Sequence, residues 1–176
     1  KAVLSFSTDE NEAVMVKVGI SSSGVEGARK NLDAEIKDFD FDAVAKSASA
    51  EWNKELSKFT VETADQNQKK IFYTAVYHSM VSPNTYSDVD GQYTGIDGKI
   101  HQANGYTNYY TFSLWDTFRA MHPLYTITDE KRVSEMIQAM MAHYREFGIL
   151  PMWSLWGNET YCMIGYHSIP VITDAY

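Results

Sequence analysis

Residues 128–147 constrain the fold more than any other stretch. Val133, Met136, Ile137, Met140, Met141, Tyr144 and Phe147 recur at i, i+3, i+4 and i+7, the spacing that lines one face of an α-helix. Asp129 and Glu130 stand at its start, where the helix dipole favours acids, and Gly148 stands at its end, where a left-handed stop needs glycine. A helix with one apolar face must bury it against another element, so the chain is expected to be built from packed helices. The methionine stripe reads as core, not as a metal ligand set.

Further helices follow from the same periodicity. Residues 41–59 repeat Phe41, Val44, Ala45, Ala48, Trp52, Leu56 and Phe59 at spacings of three and four, with Asp40 or Asp42 at the amino end. A second helix is expected from about Asp65 to Met80, ended by Ser82-Pro83-Asn84, and the short link between the two predicts antiparallel neighbours. Residues 25–36 suit a short charged helix, 111–121 another, and 166–175 a last one with Pro170 in its first turn. Between them, residues 86–110 hold the turn signals Asp90-Gly91, Asp97-Gly98 and Asn104-Gly105, which suits an irregular loop with one short hairpin. Asp88 and Asp90 resemble part of a calcium loop that lacks its downstream glutamate; aspartates stabilising turns are the favoured reading.

The beginning is different. Residues 3–6 and 13–20 have strand composition, with Asp9-Glu10-Asn11-Glu12 as a hairpin loop between them. Two strands alone are marginal in water, so this segment is expected to be the trailing edge of an upstream β domain. The whole then reads as a mainly α chain: part of a helical toroid whose loops gather at one end, preceded by a short β-rich segment.

Charge and composition exclude several functions. The net charge is −8 and the basic residues are scattered, which leaves no footprint for nucleic acid or an anionic membrane surface. No apolar run approaches the roughly 18 residues of a membrane span, and no signal peptide is recognisable. The single cysteine, Cys162, excludes an intrachain disulfide and a cysteine zinc site, and it is read as a small buried hydrophobe. Twelve tyrosines and four tryptophans crowd mainly into the second half, a composition that suits carbohydrate sites and large interfaces.

Chemistry is expected in residues 153–165. Glu159 is set there among tryptophans, a tyrosine and a methionine, with no adjacent cation. Desolvation in such company makes a carboxyl group keep its proton, as a general acid requires. The competing reading, heavier on the residues alone, has Asn158 capping a helix and Glu159 in its first turn. Trp115 and Asp116 adjoin at another helix start and present a ring face beside a hydroxyl acceptor; the bland alternative is a packed tryptophan with Asp116 capping or paired to Arg119.

Several ordered motifs together carry a resemblance. Phe72-Tyr73-Thr74-Ala75-Val76-Tyr77-His78-Ser79-Met80, Ser82-Pro83-Asn84, Ser87-Asp88-Val89-Asp90-Gly91-Gln92-Tyr93, Asp97-Gly98-Lys99, Phe112-Ser113-Leu114-Trp115-Asp116-Thr117-Phe118-Arg119 and Trp156-Gly157-Asn158-Glu159-Thr160 make the chain resemble glycoside hydrolase family 92 from about Phe72 to its last residue. These are calcium-dependent exo-α-mannosidases that invert the anomeric centre. The resemblance implies the end of an N-terminal β-sandwich domain over residues 1–23, a helical linker over 24–62 and the first part of an (α/α)6 catalytic domain over 63–176. It implies that Glu159 is the general acid and that Trp115, Asp116, Trp156 and Asn158 contact an α-mannoside such as an N-glycan arm. It also implies a Ca2+ whose ligands, like the catalytic base, lie in the remainder of the same polypeptide, and a periplasmic, cell-surface or secreted location. The alternatives are a noncatalytic carbohydrate-binding protein and an (α/α)6 glycosidase or lyase of other specificity.

Overall fold

The structure, a computed structural model, describes residues 2–176. Its longest helix, α6 (Glu130–Phe147), covers the stretch expected from the periodicity. Asp129 caps it by accepting from the Arg132 N–H at 3.2 Å, and Gly148 closes it at φ 86°. Its apolar face supplies Val133, Met136, Ala139 and Met140 to the core, which they share with Phe112, Leu114, Tyr125 and Val171. α5 (Met121–Thr128) packs on α6 and on α7 (Ser168–Asp174). The chain is thus mainly α, with three small antiparallel sheets among the described residues.

The single helix expected over 111–121 is instead two. α4 (Leu114–Thr117) makes one turn, the chain breaks at residues 118–120, and α5 restarts at Met121. Pro123 explains the break: it lacks an N–H and fits a helix only in the first turn, which the restart provides. Tyr125, further along α5, is buried and donates its hydroxyl to the Ser79 carbonyl at 2.7 Å.

His122, beside Phe112, is buried, and its Nε2 has no partner among the described residues. Burial holds its imidazole down at about 4. That value lies below the unfolded one of about 6.5, so the unfolded chain binds more protons in between. Stability is therefore expected to fall as pH drops from about 6.5 toward about 4, by at most roughly 1.4 kcal/mol per pH unit from this group. Denaturant titrations across that range should show a flatter slope for His122→Phe; an unchanged slope would assign the loss elsewhere.

α2 (Phe41–Leu56) and α3 (Gln66–Ser79) form the expected antiparallel pair. Asp40 caps α2 through the Ala43 N–H at 2.9 Å, and Asp65 caps α3 through the N–H groups of Asn67 and Gln68. The Trp52 ring lies 4.6 Å from Tyr77 and Phe59 lies 6.4 Å from Phe72, an order that reverses along the two segments. Lys58, just past α2, fastens the pair to the start of α6 by bonding Glu55 at 2.9 Å and Asp129 at 2.7 Å.

The strands expected at 3–6 and 13–20 do not form. The turn between them does, with the Glu12 N–H bonding the Asp9 carbonyl at 3.1 Å, but among the described residues no strand lies alongside to complete a ladder. At Ser21 the chain docks on Asp88. That buried carboxylate accepts from the Ser21 hydroxyl at 2.7 Å, from the Ser23 hydroxyl and from the Asn31 amide of α1 (Val25–Glu35) at 2.8 Å. Asn31 returns a bond by accepting from the Val89 N–H at 2.8 Å, while Asp90 pairs with Lys30. Asp88 and Asp90 therefore hold a turn and a docked helix, which is the favoured reading of that motif.

The loop over 86–110 is closed at its base by β1 (Asn84–Thr85) pairing with β4 (Tyr109–Tyr110), and it carries the expected hairpin as β2 (Gln92–Thr94) and β3 (Ile100–Gln102).

Candidate active site

Glu159 sits in a hairpin, not at a helix start. β6 (Trp153–Leu155) pairs Ser154 with Glu159 and Leu155 with Asn158 of β7 (Asn158–Glu159), and on its other edge β6 pairs with β5 (Phe112–Ser113). Trp156 at φ 53° and Gly157 at φ 74° make the two-residue turn, the positive pair that matches strand twist in tight hairpins. The helix-opening reading of Asn158-Glu159 is therefore overturned: the ladder takes their main-chain groups. Gly157 is required twice over, since a Cβ there would also meet the Tyr86 hydroxyl at 2.6 Å. Trp156 holds a left-handed backbone without that freedom, a conformation that costs about 1–3 kcal/mol and concentrates at functional sites. Its indole is 76% exposed.

The Glu159 side chain is only 7% exposed. Its Oε2 accepts from the Met152 N–H at 2.8 Å, its Oε1 from the Trp153 N–H at 3.1 Å and the Tyr161 N–H at 3.3 Å. The Trp153 N–H also reaches Oε2 at 3.3 Å, so three main-chain donors make four contacts that fix both oxygens. Met152 also joins this carboxyl to the Trp115-Asp116 pair, because its carbonyl accepts from the Leu114 N–H that opens α4.

Trp115 is half-buried, and the Arg119 guanidinium covers one face of its ring at 4.6 Å. Asp116 is exposed and accepts from the Ser113 hydroxyl, so its partner is Ser113 and not Arg119. Asn158 is exposed and bonds the Trp156 carbonyl at 3.3 Å. The sheet β5–β6–β7 therefore brings Trp115, Asp116, Asn158 and Glu159 onto neighbouring strands and their ends.

A cleft of about 910 Å³ opens beside this sheet, between α1 and the loop over 84–88. Trp156 lines it, together with Tyr86 and Tyr110, whose rings lie 4.8 Å apart; Glu159, Trp115, Asp116 and Asn158 do not. Burial, with Tyr86, Glu146 and Glu159 nearby, pushes the Tyr110 phenol well above its ordinary value, so it stays a neutral donor. Its hydroxyl has no partner among the described residues. Sequence reasoning missed Tyr86, Tyr110 and the main chain of Met152. The one available signal for the hairpin was Gly157, a residue free to take the left-handed turn position, without the Asn-Gly or Asp-Gly pair that usually marks such turns.

Among the described residues, no three His, Cys, Asp or Glu side chains come together to hold a cation. Cys162, expected to be buried, is exposed, with its sulfur 3.0 Å from the Thr160 hydroxyl, because the segment after β7 leaves the core.

Comparison with known proteins sets this arrangement among the glycoside hydrolases. Residues 27–176 match the glycosyl hydrolase family 92 catalytic domain, and the chain belongs to that family. Among solved structures it is similar to the family GH92 alpha-mannosidase BT3965 from Bacteroides thetaiotaomicron, with a TM-score of 0.83 and 42% identity over 86% of this chain and 20% of that one. BT3965 has also been solved in complex with mannoimidazole. The family GH92 inverting mannosidase BT2199 from the same organism gives 0.82 and 29% identity over 88% of this chain and 21% of that one. No curated protein matches. The chain thus spans about a fifth of the length of these solved relatives. Its mainly α fold with a few short strands corresponds to the partial (α/α)6 toroid expected from the sequence.

Proposed function

We propose that this chain is part of an inverting exo-α-mannosidase that removes terminal mannose from α-mannosides such as N-glycan arms, with Glu159 as its general acid. One observation carries the assignment: in a chain of this family, a buried carboxyl group is joined through Met152 to the helix start that bears Trp115 and Asp116. The likeness to BT3965 and BT2199 supports the sugar and the stereochemistry.

In the proposed reaction Glu159 passes its proton to the glycosidic oxygen as the bond from that oxygen to the anomeric carbon breaks. Water attacks the opposite face of the sugar, and a second carboxylate takes its proton. In inverting enzymes the two carboxyl groups stand about 6.5–9.5 Å apart. That base belongs to the remainder of the polypeptide, as do the ligands of the calcium ion the family implies; such an ion, when bound, orients sugar hydroxyls and stabilises charge. Within this chain, Trp115 and Trp156 offer apolar ring faces to the sugar, and Asp116 and Asn158 offer hydrogen bonds to its hydroxyls. Residues 1–23, 24–62 and 63–176 are assigned to the end of a β-sandwich, a linker and the start of the catalytic domain. A periplasmic, cell-surface or secreted enzyme suits a glycan substrate.

Proton NMR of an aryl α-mannoside turned over by the full-length polypeptide is expected to show β-mannose as the first product. Initial release of α-mannose would overturn the single-displacement mechanism. The 176-residue chain alone is expected to release no mannose; calcium-dependent release by it would refute its dependence on the rest.

A further inference from the structure

We infer that the protein carries a second carbohydrate-binding site, distinct from the cleft that Trp156 lines, in the polar hollow between the β2–β3 ribbon and α6. The hollow measures about 570 Å³, within the range of small-molecule sites. One wall is fixed by internal bonds. Tyr93, 3% exposed, donates its hydroxyl to Glu146 at 2.6 Å and stacks on His101 with ring centroids 5.8 Å apart. His101 in turn stands 2.9 Å from Asp97.

The opposite wall is uncommitted. The side chains of Gln138 and Arg145 of α6, and of Asn104 beyond β3, line the hollow at the surface and make no hydrogen bond or ion pair to any described residue. Gln138, Ala142 and Arg145 lie at i, i+4 and i+7 on one helix face, and the small Ala142 between the two longer side chains leaves the concavity open. Around Asp88, by contrast, the polar groups satisfy one another.

The hollow and the cleft that Trp156 lines are back to back. Thr94 follows Tyr93 in β2 and bonds the Ser22 carbonyl at 2.6 Å on the cleft side, since successive strand residues face opposite ways. The lining chemistry selects a neutral polyhydroxyl ligand. Asp97 and Glu146 supply acceptors, Arg145 and the two amides supply donors, and Tyr106 supplies a ring. Lys99 and Arg145 balance the two carboxylates, so neither an anion nor a cation is favoured.

The inference rests on the proposed function only for its choice of probe, an α-linked mannotriose. Calorimetric titration of the full-length Glu159→Gln protein with that sugar is expected to show two classes of site. Adding Gln138→Ala and Arg145→Ala should weaken one class at least tenfold, and the same pair in the parent enzyme should leave kcat on an aryl α-mannoside unchanged. Binding indifferent to the double substitution would overturn the second site whether or not the enzyme is active. Arg145-dependent sugar binding by a parent without mannosidase activity would uphold it while the catalytic assignment fails.

Discussion

Glu159→Gln in the full-length enzyme is expected to lower kcat on α-mannosides with poor leaving groups about 10²- to 10⁴-fold, the usual contribution of a general acid. Glutamine has the same shape but no acidic proton for the glycosidic oxygen. Structure alone would also react to this change. The carboxyl accepts from Met152, Trp153 and Tyr161, and an amide nitrogen in place of one oxygen would face an N–H donor, leaving an unsatisfied contact worth about 1–3 kcal/mol. The leaving group separates the two effects. A dinitrophenyl mannoside departs without protonation, so its turnover should fall far less than that of a mannobiose. Equal losses on both substrates would make Glu159 a structural anchor, and a noncatalytic carbohydrate-binding protein would then be the better description.

The second large effect is expected at Asp88. Asp88→Ala removes a buried acceptor shared by the Ser21 and Ser23 hydroxyls and the Asn31 amide, partners 57 to 67 residues away in the sequence. Bonds to a charged group are worth about 1.5–3 kcal/mol each and are not additive, so a loss of about 3 kcal/mol is expected, with three donors left in a partly buried site. The segment before α1 should then open, and proteolysis near residues 18–24 should quicken before global unfolding. A variant as protease-resistant as the parent would show that α1 is held by its apolar contacts instead.

The helices were legible wherever a 3.6-residue period met a capping residue, as in α6 between Asp129 and Gly148 or α3 behind Asp65. Features that depend on a partner were not. The apolar alternation over 13–20 specifies a strand only when another strand lies beside it, and Asn158-Glu159 after a glycine reads equally as a helix start until Ser154 pairs with Glu159. In the site, Glu159, Trp115 and Asp116 were visible as residues, whereas the donors that hold Glu159 are main-chain groups whose positions carry no side-chain signal. The docking of residues 21–23 on Asp88 was hidden for a related reason: hydroxyls in a serine run look like a linker until the fold brings a carboxylate to them.

Met152 has a further consequence. Its carbonyl receives the amide that opens α4, and its own amide reaches the Glu159 carboxyl. A sugar that pulls on the indole or aspartate of α4 therefore tugs, through one residue, on the atom that would deliver the proton. On the proposed assignment grip and chemistry share a common hinge pin, and loosening either end is expected to misalign the other.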